Sequence, residues 1–305
     1  MRVVPPVTIT DDILLDSNVP EDDYAEWDSE ATYARGDKRI VVETNVHKIF
    51  ESLQADNTNH NPLDDDQENP EWWLDLGPTN RWKMFDLLRN TKTVAASPLI
   101  VELAPGIRVD SIALLGLAAD SVTVSVVNDG DVVYTKTTHL LNRETLTWSD
   151  YFFGEFDSIQ GFLLTDIPRF SENTITITIV RDGGDVSCGG VVIGSNVYLG
   201  KVLHNAESDA ENFSRVERDE FGNAHLLQRR SIPKSNQTVI VDKGRVNRIM
   251  RARTELNAVP AVWSGLDDET DGYFAPLFIL GIYRRFLISL ANPNHAVLTL
   301  ELEEV

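Results

Sequence analysis

The chain has 305 residues, 42% apolar and 25% charged, with a formal net charge of −21, which is the composition of a soluble globular protein with material for more than one core. So negative a chain is a poor partner for nucleic-acid phosphates, whose binding rests on cationic contacts, and no run of about 18 apolar residues offers a membrane span. A single cysteine, Cys188, excludes an intrachain disulfide and a cysteine-based metal cage.

The length suggests about two or three domains. Residues 1–23 mix Pro5, Pro6 and Pro20 with short apolar pairs and are expected to form an extended arm. Their start, "MRVVPPVTITDD", lacks the apolar stretch of a secretory signal, which points to a protein made in a cytoplasm and leaving it, if at all, by another route. Charge is uneven: residues 1–75 hold 19 Asp/Glu against 5 Lys/Arg, a net of −14, so this part carries two thirds of the excess. Such a region keeps a protein soluble or faces a basic partner.

Residues 24–93 are expected to form a small β-rich unit. "RIVVE" and "HKIFESL" are strand-like, a loop dense in Asn, Asp and Pro spans 55–71, and "RWKMFDLLRN" suggests one or two helical turns. Trp27, Tyr33, Trp72, Trp73 and Trp82 crowd this segment. Large rings help so small a unit reach stability, and at least two of the tryptophans are expected in its core. Adjacent Trp72 and Trp73 point to opposite faces if extended, so one ring can be buried while the other serves as a sugar platform or a seat for a protein partner. Trp27, Tyr33, Trp72 and Trp73 are the candidate glycan-binding residues.

Residues 94–197 give the clearest pattern. "SPLIVELAP", "VDSIALLGL", "SVTVSVV", "DVVYTKT", "GFLLTDI" and "NTITITIVRD" are strand-length runs, and "NDG" at 128–130 predicts a hairpin turn. An antiparallel sandwich of jelly-roll type follows. Residues 198–305 hold further strands around "KGRVNRIMRARTELN", where Val246, Ile249, Met250 and Leu256 fall on one helical stripe, an α+β unit. The other faces of that helix carry Arg245, Arg248 and Arg251, candidates for a subunit contact with an acidic surface; solvated faces, or pairing within one chain, are the alternative.

Marks of common enzymes are missing: no GxxxxGK[ST], HExxH or GxSxG motif occurs, and the six histidines are scattered. "PLDDDQENPE" (62–71) offers oxygen ligands without the alternation and glycine of a calcium loop, so a solvated loop is expected. "RGD" at 35–37 is an ordinary turn motif, and Cys188 beside Gly189 and Gly190 suits a core. No catalytic residue, cofactor or metal is expected.

Trp27, Tyr33, Gly36 and Asp37, then a strand, Asn59, Asn61 and Pro62, and a closing "PEWW" resemble the small chitin-binding type of carbohydrate-binding module. The strand after Asp37 departs from that family in running into "ETNVHKIFESLQ". The continuation "WxxxGPTNRWxMFD" (Trp73–Asp86), followed by the sandwich, "GGVVIGSNVYLG" and "DEFGNAHLLQRR", resembles tail-tip, distal-tail and baseplate proteins of tailed bacteriophages. There such a module precedes a galactose-binding-like β-sandwich. The resemblance implies a non-enzymatic virion protein, assembled in the bacterial host cytoplasm. Its partners would be other tail proteins, copies of itself in a ring and a host-surface glycan, without nucleic acid or membrane insertion. The alternative is a glycan-binding adhesion module or an accessory region of a carbohydrate-active enzyme.

Overall fold

The computed structural model describes residues 1–142, 147–154, 157–268 and 271–305. The fold is mainly β, with 48% of residues in strands and 9% in helices, built from antiparallel sheets.

The strict alternation of "SVTVSVV" and "NTITITIV" buries one face of each strand. Val122, Val124 and Val126, with Ile175, Ile177 and Ile179, share one core with Leu99, Val101 and Leu103. Their strands, Ser121–Asn128, Thr174–Val180 and Leu99–Leu103, lie side by side in a five-stranded sheet. Its edges are Asp131–His139 and Leu14–Ser17. Asp129 and Gly130 take positive φ, 53° and 86°, and close the expected hairpin between Asn128 and Asp131.

Ser111–Leu115, Gly161–Leu164 and Gly190–Gly194 form the facing sheet. Ile112, Leu114, Phe162, Leu164 and Ile193 complete the sandwich core; each such buried side chain contributes about 1.5–3 kcal/mol. The alternate residues, Ala113, Leu115, Leu163 and Val192, pack in a second cluster with Val4, Val262, Phe274 and Leu280. That double coverage explains why "SIALL" and "GVVIG" are continuous apolar runs: they are a middle layer.

The third layer is an eight-stranded sheet. Its main path runs Val197–Tyr198, Arg2–Val4, Ala261–Ser264, Phe278–Ser289, His295–Glu304, Ser231–Asp242 and Lys201–Val202. Helix α2 (Val246–Glu255) covers the side of this sheet away from the sandwich, over Val3, Trp263, Ile279 and Leu298. The helix buries Ile249, Ala252 and Leu256, leaves Val246 half-buried and turns Met250 outward. At about 100° per residue, steps of three and four keep the first three together, while Met250 stands one step round from Ile249. The predicted stripe is corrected accordingly.

Residues 1–23, expected as an extended arm, are strand-paired at two places. Arg2–Val4 lies between Val197–Tyr198 and Ala261–Ser264, with Val3 facing the helix side and Val4 the middle layer. Leu14–Ser17 adds an edge to the five-stranded sheet. Residues 24–86 build a separate three-stranded sheet from Lys38–Glu43, Val46–Ser52 and Trp73–Pro78. In "RWKMFDLLRN" the helical turns reduce to one 3-10 turn, Lys83–Phe85.

One element leaves the body. Glu207–Asn212 pairs with the first half of Ser231–Asp242, and Arg215–Arg218 then pairs with Ala224–Leu227 to extend the same two-stranded ribbon. Asp219 closes its tip, accepting from the backbone N–H groups of Phe221 (2.9 Å) and Asn223 (2.8 Å). Apart from Asp219, every residue from 207 to 231 is exposed.

Candidate functional site

Two of the candidate glycan residues, Tyr33 and Trp73, are buried in the core of the first unit. Trp73 is fully buried and its Nε1 donates to the His60 carbonyl at 2.8 Å. Tyr33 meets it edge-on, ring centroids 5.1 Å apart, and its hydroxyl donates to the Asp28 carbonyl at 2.9 Å. Trp27 and Trp72 are half-buried against the same cluster of Tyr33, Val41, Phe50 and Trp73. Trp72 is stacked on His60 with centroids 3.6 Å apart. Tyr33 and Trp73 therefore present no ring face to a sugar, which corrects those two candidates; of the adjacent pair, Trp73 is the buried ring and Trp72 the part-exposed one. A three-stranded sheet has too little aliphatic material to close its own core, and the rings supply it.

The acidic run turns inward at its centre. Asp65 accepts from the backbone N–H groups of Glu71 (3.1 Å), Trp72 (2.7 Å) and Trp73 (2.7 Å), fixing the loop that delivers both indoles. Partial burial raises its carboxyl pKa, but these donors outweigh burial and hold it below the ordinary 3.8. A depressed carboxyl contributes stability above its unfolded value and loses it as pH falls through the folded one. Asp65→Ala is expected to cost about 1.5 kcal/mol at neutral pH, the low end for hydrogen bonds to a charged group because solvent reaches the loop. Urea unfolding should show the gap from wild type shrinking below pH 4.

"GPTNRWxMFD" is a joint. Gly77 takes φ 98°, a conformation glycine adopts without strain. Thr79 Oγ1 donates to Glu21 (2.6 Å), Arg81 Nε donates to the Val19 carbonyl (2.7 Å), and Asn80 Nδ2 donates to the Val94 carbonyl (2.7 Å). Trp82 stacks on His47 at 4.3 Å, and Met84 is buried in the sandwich core. His47 lies between Asp11 (2.6 Å) and Glu21 (2.8 Å). The motif thus ties the first unit to residues 11–21 and to the sandwich.

The arginines predicted for a subunit contact divide. Arg245 lies beside the Tyr198 ring (5.0 Å) and Asp242 (3.7 Å). Arg248 and Arg251 instead line a cleft of about 430 Å³ where α2 meets residues 5–7 and the sandwich loops. Arg108, from a sandwich loop 140 positions before Arg248, joins them; Pro6, Val197 and Glu255 also line it. The three guanidinium groups are exposed, and none has an ion-pair partner among the described residues.

No family model, curated protein or solved structure matches this chain. Among the described residues no group of three or more His, Cys, Asp and Glu side chains is placed to hold a metal, and no helix is long and apolar enough to cross a membrane. Cys188 is buried, and burial pushes its thiol up to about 12 despite a backbone hydrogen bond from Gly190 and the positive charge of Arg89 nearby.

Among the described residues the most exposed aromatic rings lie outside the first unit. Helix α1 (Trp148–Phe153) exposes Trp148 by 80% and Phe153 by 84%. The ribbon exposes Phe221 by 89% and Leu226 by 78%. A sequence signal for α1 existed: Thr147 and Asp150 form a capping box ahead of clustered aromatics.

Proposed function

We propose that this chain is a structural virion protein of a tailed bacteriophage, a subunit of the tail, its tip or its baseplate, working through contacts with neighbouring subunits rather than by catalysis. The resemblance carried by Trp73–Asp86 supplies the class. The ribbon of residues 207–231 supports the structural role. A two-stranded ribbon standing alone in water is marginally stable, and this one exposes Phe213, Val216, Phe221, Leu226 and Leu227. Such an element suits a groove or sheet edge on another protein. The rings of Trp27, Tyr33, Trp72 and Trp73 serve a core, and the proposal assigns them no glycan.

Mass spectrometry of virions purified from a lysate expressing the chain is expected to recover it. A variant with residues 213–229 replaced by a Gly-Gly turn should keep its far-UV circular dichroism and disappear from the particles. Infectious virions free of the chain would overturn the proposal.

A further inference from the structure

We infer that the cleft between α2 and the sandwich binds an acidic segment of a second copy of this chain, namely the loop at 62–71. The inference rests on the reading of the chain as an assembling subunit and names the contact. In a chain of net charge −21, copies repel one another except where cationic groups are gathered and free. Arg108, Arg248 and Arg251 are such a group: three forked donors around one cleft whose lining also includes apolar Pro6 and Val197 and a single acid, Glu255. Guanidinium groups bind carboxylates through paired hydrogen bonds, which gives direction as well as attraction.

The loop at 62–71 has the matching chemistry, with five Asp/Glu and no Lys or Arg. Asp65 is committed to its own backbone, whereas Asp64, Asp66, Glu68 and Glu71 are exposed and make no ion pair among the described residues. Loop and cleft belong to different units, so their contact joins unlike patches on successive copies. Repeated, that contact builds a ring or a filament.

The test is sedimentation velocity of the full chain across a salt series. Wild type is expected to self-associate at low salt and to dissociate as salt rises, because exposed charge pairs are screened. Arg248→Glu with Arg251→Glu should weaken association at least about tenfold with an unchanged melting curve, since neither side chain has an ion-pair partner among the described residues. A chain carrying Asp64→Lys, Asp66→Lys and Glu68→Lys should fail to self-associate yet pair with the double arginine variant. Wild type that stays monomeric at low salt, association that persists in molar salt, or association indifferent to the arginine substitutions would each overturn the cleft. Association through the cleft in a chain absent from virions would sink the tail reading alone.

Discussion

Trp73→Ala is expected to unfold the first unit while the sandwich survives. Trp73 is fully buried, packs edge-on against Tyr33 and anchors the loop through the His60 carbonyl. Removing a buried indole costs about 3–5 kcal/mol, comparable with the whole stability of so small a core. The exposed remainder should become protease-sensitive at 24–78, with the sandwich strands still protected in hydrogen exchange. Trp72→Ala provides the contrast. Its half-buried ring stacks on His60, and losing an aromatic pair of this kind costs about 0.5–1.5 kcal/mol beyond its buried area. A Trp73→Ala chain as resistant to protease as the Trp72→Ala chain would refute this account of the core.

The second large effect is expected at Asp110, a carboxylate 2% exposed where the sandwich meets the eight-stranded sheet. It accepts from Ser111 Oγ (2.7 Å), from the Asn196 backbone N–H (2.8 Å), from Asn196 Nδ2 (2.9 Å) and from Arg169. Asn196 in turn accepts from Arg2 Nη1 at 3.0 Å, so the network reaches the first strand of the chain. Asp110→Ala leaves these buried donors unsatisfied, and breaking a buried ionic network from one side costs about 3–5 kcal/mol. Arg169 is largely exposed and recovers water, which places the cost near the lower figure. Calorimetry should show the sandwich and the eight-stranded sheet melting together at a lowered temperature. An unchanged melting temperature would exclude the network as a joint between the two.

Much of the fold was legible because the period of two is a local property. Val122, Val124 and Val126 alternate with polar residues whatever lies elsewhere in the chain, and "NDG" carries its own turn geometry. The continuous run "SIALL" was legible as a strand but not as a middle layer, since its second covering comes from Val4, Val262 and Leu280. The candidate site was less legible. Composition showed that rings crowd residues 24–82, yet which ring is buried depended on the His60 carbonyl and on Asp65 fixing the loop. Arg248 and Arg251 were visible on a helix face, whereas Arg108 lies far from them in sequence and joins them only in the cleft.

By itself the sequence determined the β character, the charge imbalance and the amphipathic helix, because each is written in neighbouring residues through spacing and side-chain type. Tertiary structure alone decided that residues 2–4 complete a C-terminal sheet, that "GPTNRW" is a joint and that Arg108 shares one cleft with Arg248 and Arg251. Those outcomes depend on which surfaces meet after the strands have formed. Such meetings are governed by the shape and burial of surfaces far apart along the chain, and no local pattern records them.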